Sequence, residues 1–309
     1  MALRRKDILG LRDLSLEEID EILNTAELMK YILTQNNKRT PHLQGKSIVT
    51  LFYENSTRTR LSFELASKYM GASAANVSTP SSSVAKGETL LDTGRTIESM
   101  GADVIIIRHP MSGAPHLLAK HVDASIINAG DGMNEHPTQA LLDMYTIKEK
   151  LGRLNDIKVA IIGDIMHSRV ARSNIWGLRA VGAQVYLAGP QTLMPLDIEK
   201  TGAVVCTTVE EAIEGADVVM GLRIQKERQR EGLIPSIREY AHLFGIDKER
   251  IELASPNLII MHPGPVNRGI EMTSEVIDSP ASVINEQVTN GVAIRMALLY
   301  LLTRRRMVA

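Results

Sequence analysis

The densest chemistry in the chain is Ser56-Thr57-Arg58-Thr59-Arg60, where two guanidiniums share five consecutive positions with hydroxyl side chains. These residues follow Ser47-Ile-Val-Thr-Leu-Phe, a β-branched and aromatic run, and they open an amphipathic pattern. The local reading is strand, turn, helix. Ser56 suits the N-cap. The first N–H groups of a helix lack carbonyl partners and carry the positive end of its dipole, so this start is a ready anion site. Arginine and threonine donors there fit a phosphate better than a neutral ligand. At about 100° per residue, Arg58 and Arg60 lie roughly 200° apart, so one anion is not easily held by both. Arg58 is the candidate for the ligand and Arg60 for a structural ion pair. The plain alternative is a well-capped, charged helix start.

Other polar groups close apolar runs in the same way. Arg108 ends Asp103-Val-Ile-Ile-Ile, as either a ligand group or a surface ion pair. His136 precedes Pro137, a residue suited to the first helical position, and Gln139 stands three residues on, so the two can share one side of a helix start and polarise a carbonyl. A capping histidine and a solvated glutamine would look the same. In Ile161-Ile-Gly163-Asp-Ile-Met-His-Ser168 the glycines of a dinucleotide fingerprint are missing at Ile165 and Ser168, which argues against nicotinamide binding. Arg169, at the next helix start, becomes a carboxylate candidate. Arg223 and Gln225 alternate on an extended segment, so they point to one face and can hold a carboxylate. Lys226, Glu227, Arg228 and Arg230 read as a solvated charged loop. His262-Pro-Gly-Pro265 ends an apolar run; Gly264-Pro265 suits a cis peptide, and His262 suits a packed turn. Ser78 to Lys86 is a small-residue loop delivering one cation, either functional or a surface linker. Arg268 is left open.

The elements that must position these groups alternate. Strands are expected near 47–53, 74–78, 103–107 and 125–129, with helices near 57–70, 88–100, 114–121 and 137–151. A second series has strands near 157–162, 184–188, 203–206, 217–222 and 257–261. Ser15-Leu-Glu-Glu18 is a capping box for a helix to about Leu33, and a last helix spans about Ser282 to Thr303. The fold class is therefore α/β: two doubly wound domains with mostly parallel sheets, linked by long helices. The expected division is 1–136, a bridging helix 137–151, then 152–283, and a C-terminal helix 284–309. In a parallel sheet all strand carboxyl ends share one edge, where open α/β folds bind ligands.

Composition narrows the function. With 309 residues, 44% of them hydrophobic, two ordinary cores can be buried. The 35 basic and 36 acidic residues leave a net charge of −1, so no global field draws the chain to nucleic acid or an anionic membrane. Any anion site must be local. The single Cys206 excludes an intramolecular disulfide and any multi-cysteine metal cluster; in Ala203-Val-Val-Cys it reads as a small buried hydrophobe. No apolar run is long enough to span a membrane, and Arg4, Arg5 and Lys6 are not followed by one, so a cytoplasmic protein is expected.

Taken together, Ser56-Thr-Arg-Thr-Arg60, Ser82 with Lys86-Gly-Glu88, Arg108-His-Pro, His136-Pro-Thr-Gln139, Arg169, Arg223-Ile-Gln-Lys-Glu-Arg228 and His262-Pro-Gly-Pro265 resemble the aspartate/ornithine carbamoyltransferase family over nearly the whole length. The His-Cys-Leu-Pro and Asp-x-x-x-Ser-Met elements usual in the ornithine branch are absent, so the resemblance is to the aspartate branch. It implies carbamoyl transfer from carbamoyl phosphate to the amino group of L-aspartate, giving N-carbamoyl-L-aspartate and phosphate in pyrimidine biosynthesis. By matching, Ser56, Thr57, Arg58 and Thr59 hold the phosphate, with Ser82 and Lys86 reaching in from a neighbouring subunit of a homotrimer. Thr59, Arg108 and His136 meet the carbamoyl oxygen and Gln139 its amide. Arg169, Arg223 and Gln225 take the aspartate carboxylates, with Lys86, and carbonyls around Gly264 and Pro265 orient the amine. The resemblance implies no cofactor and no metal. Regulatory chains or a neighbouring pathway enzyme as partners are left open. The rival readings are a carbamoyltransferase with another amino acceptor, and a non-catalytic anion or amino-acid binding protein on the same fold.

Overall fold

A computed structural model describes residues 3–78, 87–225, 233–234 and 236–305. Ser82 and Lys86, and Lys226 to Arg230, lie outside the described residues. The chain divides into two compact units, one of Met1–Leu141 with Thr289–Ala309 and the other of Leu142–Val288.

In the first unit, helix α1 (Leu16–Thr34) opens on the expected capping box: the Ser15 hydroxyl accepts from Glu18 N–H, and the Glu18 carboxylate accepts from Ser15 N–H. Strands β1 (Ser47–Phe52), β2 (Ser73–Ser78), β3 (Val104–His109) and β4 (Ser125–Asp131) alternate with helices α2 (Thr57–Tyr69), α3 (Leu90–Ser99) and α4 (Ala114–Ala119). All pair in parallel in the order β2-β1-β3-β4. Strands β3 and β4 are buried almost throughout, which is why β3 opens on the apolar run Val104-Ile-Ile-Ile107 rather than on alternation, while the buried Asn128 and Asp131 of β4 are hydrogen-bonded. Ile8 bridges to Ile127 and covers the open edge of β4.

Helix α5 (Pro137–Leu151) follows, and the division between the units falls within it, after Leu141. The second unit holds β5 (Lys158–Ile162), α6 (Arg169–Ala180), β6 (Gln184–Ala188), β7 (Val204–Val205), α7 (Val209–Ile213), β8 (Val218–Gly221), α8 (Ile237–Phe244), α9 (Lys248–Ile251), β9 (Ile259–Met261) and α10 (Ser274–Ile277). Its sheet is also parallel, in the order β7-β6-β5-β8-β9. Helix α11 (Ile284–Arg305) closes the chain, and its residues from Thr289 onward belong to the first unit. Met296, Leu299 and Leu302 on it are buried, and the Arg295 guanidinium lies 5.1 Å from the centre of the Phe63 ring on α2.

In each sheet the chain leaves a central strand in one direction and later returns to its other side. The reversal falls between β1 and β3 in the first unit and between β5 and β8 in the second. Loops leaving the carboxyl ends on either side of such a reversal diverge and leave a crevice for a ligand.

Candidate active site

The motifs singled out above emerge at these two reversals. Phe52 pairs with Arg108 in the β1–β3 ladder, so the Ser56 to Arg60 turn and the Arg108 side chain leave adjacent strands at the same edge. His136 follows β4, the next strand over. In the second unit, the loop from Gly163 to Arg169 follows β5, and Leu222 to Gln225 follow β8 beside it, with Leu222 N–H donating to Ile162 O at 2.8 Å.

Helix α2 is anchored by its buried face, Thr59, Ser62, Phe63, Ala66 and Ser67, leaving Thr57, Arg58 and Arg60 exposed. Ser56 holds the N-cap position in an extended conformation, yet its side chain makes no capping bond. That differs from the ordinary cap, in which the hydroxyl satisfies a first-turn amide. Arg60 stands one turn before Glu64 and helps lower its pKa, though the hydrogen-bonded ion pair of Glu64 is with Lys68 at 2.6 Å. Four helices have no acidic residue in the first turn: α2, α4, α5 and α6. Acidic side chains normally complement the dipole there, as Glu17 and Glu18 do on α1. Three of the four, α2, α5 and α6, have Arg58, His136 and Arg169 within one residue of their first position, so no carboxylate of the first turn neutralises the positive end of the dipole there.

Arg108 Nε donates to Glu54 Oε2 at 3.1 Å, with both side chains largely buried. Glu54 lies in the turn after β1, and sequence reasoning missed it. Its place two residues beyond an apolar strand, in the same turn as the arginines, was the available signal. The Tyr53 and His109 rings pack beside this pair at 4.5 Å, and burial pushes the His109 pKa down.

Two buried carboxylates, Asp131 and Glu135, organise the chain just before His136. Asp131 accepts from Gly113 N–H at 2.7 Å, Asn128 Nδ2 at 2.8 Å and Glu135 N–H at 3.1 Å, while Glu135 accepts from Leu11 N–H at 2.7 Å. These amide bonds fix the backbone entering α5. The His136 carbonyl then accepts from Gln139 and Ala140 N–H, and its buried ring lies 3.5 Å from the Thr138 hydroxyl. Gln139 is half-buried on the same first turn.

In the second unit Arg169 is the first residue of α6 and only 3% exposed, with Ser168 capping the helix by accepting from Ala171 N–H. Asp164, fully buried, accepts from His167 N–H and from Gln225 N–H, and lies 2.9 Å from His167 Nδ1. It therefore ties the β5 loop to the β8 loop. Gly163 before it has φ 134°, and a Cβ there would meet the Tyr240 hydroxyl and Leu222 at about 3 Å, so the turn requires glycine. Arg223 and Gln225 are half-buried around the buried Ile224, as alternation predicts, and the Gln225 amide donates to the Arg223 carbonyl at 3.3 Å. The buried Glu271 accepts from Ile224 N–H and Asn267 N–H, pinning this segment from the other side. Asp164 and Glu271 were assigned nothing from sequence, because their partners stand far along the chain.

Gly264-Pro265 is a cis peptide, as its composition led us to expect. His262 is buried, and its Nδ1 accepts from Gly264 N–H at 2.8 Å, so it is a turn histidine. Arg268 is exposed and makes two hydrogen bonds to Asp278, at 2.7 and 2.8 Å. Cys206 is buried. Among the described residues no helix is long and apolar enough to cross a membrane, and no group of three His, Cys, Asp or Glu side chains could hold a metal ion.

Hydroxyls and a guanidinium at the start of α2 suit a phosphorylated ligand, and arginines in the loops after β5 and β8 suit a carboxylate-bearing one. Residues 6–149 match the family model for the aspartate/ornithine carbamoyltransferase carbamoyl-P binding domain, and residues 155–302 match that for the Asp/Orn binding domain. The aspartate carbamoyltransferase catalytic subunits of Ruminiclostridium cellulolyticum and Acetivibrio thermocellus are each 71% identical, over 100% and 99% of this chain and 98% of theirs. The aspartate transcarbamoylase of Trypanosoma cruzi, solved with carbamoyl aspartate and phosphate, superposes with a TM-score of 0.87 at 33% identity over 96% of both chains. The ornithine carbamoyltransferase of Pyrococcus furiosus gives 0.87 at 31% identity, over 97% of this chain and 98% of that one. By fold, by strand-end motifs and by sequence along its whole length, the chain belongs to the aspartate/ornithine carbamoyltransferase family.

Proposed function

We propose that this chain transfers the carbamoyl group of carbamoyl phosphate to the amino group of L-aspartate, yielding N-carbamoyl-L-aspartate and phosphate, an early step of pyrimidine synthesis. The observation that supports this acceptor is that β5 and β8 are adjacent strands, the loop after one leading to Arg169 and the segment after the other carrying Arg223 and Gln225. Two guanidiniums suit a dicarboxylate and repel the cationic side chain of ornithine. The 71% identity to chains named aspartate carbamoyltransferase catalytic subunits supports the same choice.

In this reading Ser56, Thr57, Arg58 and Thr59, with the first amides of α2, bind the phosphate of the donor. Thr59, Arg108 and His136 donate to the carbamoyl oxygen, and Gln139 holds the carbamoyl amide. Ser82 and Lys86 complete the site from a neighbouring subunit of a homotrimer. Arg169, Arg223 and Gln225 bind the aspartate carboxylates, and carbonyls around Gly264 and Pro265 orient the amine. Residues 1–136 form the donor domain and 152–283 the acceptor domain, with 137–151 and 284–309 joining them, and the protein works in the cytoplasm.

The nitrogen lone pair attacks the carbonyl carbon, the bond from that carbon to the phosphate oxygen breaks, and the departing phosphate takes the amine proton. Charge grows on the carbonyl oxygen, where preorganised donors contribute about 3 to 4 kcal/mol apiece in comparable acyl chemistry. Orienting two bound reactants supplies much of the remainder.

A product assay with a panel of amino acceptors tests the reading. Aspartate alone should be carbamoylated, and Arg223→Ala should raise its KM while sparing that of carbamoyl phosphate. Preference for another acceptor would overturn the choice of substrate. Mixing inactive Arg108→Ala chains with inactive Lys86→Ala chains should restore activity; confirmed mixed oligomers without recovery would refute shared sites.

A further inference from the structure

Inside the second unit, a chain of buried polar groups runs beneath the loops just described without belonging to them. Asp143 on α5 is fully buried, and each of its carboxylate oxygens accepts a hydrogen bond from a side-chain amide. Oδ1 takes one from Gln287 Nε2 and Oδ2 one from Asn174 Nδ2, both at 2.8 Å. Gln287, at the start of α11, accepts from His262 N–H at 3.0 Å through Oε1. His262 in turn accepts from Gly264 N–H. A carboxylate can only accept, so Asp143 dictates that the NH2 end of the Gln287 amide faces it and that the oxygen faces His262. The charge thus sets which end of the Gln287 amide meets the His262 N–H, the backbone donor of the residue whose ring accepts from Gly264 N–H. The other carboxylate oxygen holds Asn174 on α6, the helix whose first residue is Arg169.

Stability alone does not account for this arrangement. A buried carboxylate is costly to desolvate, and well-packed apolar groups of the same volume do as well or better in the cores where the exchange has been made. What a polar chain adds is a single allowed geometry at its ends.

We propose that Asp143 and Gln287 are positioning residues for the acceptor: through His262 they set the register of the Gly264-Pro265 turn, and through Asn174 they seat the helix that carries Arg169. The proposal rests on the reading that this turn and Arg169 meet aspartate. In this reading both act through other residues, with no direct contact to substrate assigned to either.

A donor–acceptor exchange tests it. Gln287→Glu places two carboxylates at one hydrogen bond. Asp143→Asn leaves one of its two amide donors facing another NH2 group. Combining them restores the links described: the new asparagine donates to the new carboxylate, accepts from Asn174, and leaves an oxygen for His262. Each single variant should raise the KM for aspartate about tenfold, with kcat and the KM for carbamoyl phosphate within about threefold of the parent, the pattern of lost ground-state binding. The double variant should return the aspartate KM to within about threefold, a coupling that independent sites do not show. Single variants that change both KM values alike, or that lower only the melting temperature, would overturn the proposal, as would a double variant no better than the worse single. If neither single variant folds, the double decides: a parental aspartate KM supports the proposal, and a raised KM or a failure to fold overturns it. Arg223→Ala is measured alongside. If it leaves the aspartate KM unchanged, the assignment of the acceptor loops has failed; if it raises that KM while the Asp143 and Gln287 variants do not, the positioning proposal alone has failed.

Discussion

Replacing Ser56 by alanine should separate binding from stability, because its hydroxyl occupies the N-cap position of α2 without capping it. Ser15 supplies the comparison inside the same chain: its hydroxyl accepts from Glu18 N–H within a complete capping box. Ser15→Ala therefore loses a bond made in the unliganded protein, and such losses cost about 1 kcal/mol of folding free energy. Ser56→Ala loses none, so its unfolding free energy should stay within about 0.5 kcal/mol of the parent, the range of neutral surface changes. If the hydroxyl is kept for the phosphate, the variant instead loses one hydrogen bond to a charged ligand, worth about 1.5 to 3 kcal/mol. At 1.4 kcal/mol per factor of ten this is a roughly ten- to hundredfold weaker affinity. Denaturant titration gives the first quantity, and calorimetry with inorganic phosphate, together with the KM for carbamoyl phosphate, gives the second. A Ser56→Ala protein destabilised as much as Ser15→Ala, with phosphate affinity unchanged, would refute the reasoning.

Two further tests read the interior. Burial lowers the His109 pKa below its ordinary 6.5, so as pH falls through that value the unfolded chain takes up a proton that the folded one resists. Unfolding free energy should therefore decline below about pH 6.5, and His109→Asn should decline less steeply; equal slopes would count against a buried neutral imidazole. The Cys206 thiol is buried and its pKa is raised, chiefly by that burial, so a thiol reagent at neutral pH should modify it only as fast as the protein unfolds. Rapid labelling of the native enzyme would contradict this.

The periodic part of the fold was readable in advance for a physical reason. Strands such as Val104–His109 are enclosed on both faces, so each appears as a solid apolar block, and a capping or turn residue marks where the helix after it begins. The expected strand boundaries fall within a residue or two of those observed. The strand-end motifs were readable too, because chain direction in a parallel sheet puts those of each sheet at a single edge. What was not readable is the carboxylate support. Glu54 meets Arg108 across 54 positions of sequence, and Asp143 meets Gln287 across 144. No local pattern marks an acid whose partner is brought to it only by strand order. The Ser56 hydroxyl is the opposite case: its residue type announced a cap, and the backbone conformation left that role unfilled.

The separate reversal points have an evolutionary corollary. Because the carbamoyl-P and the Asp/Orn binding domains of the family match different units of the chain, substitutions that exchange one amine for another can be confined to the second while the first stays untouched. A lineage can therefore diversify its products without reinventing its energy-rich reactant, and the same backbone serving aspartate and ornithine enzymes at about 30% identity is what such an inheritance leaves behind.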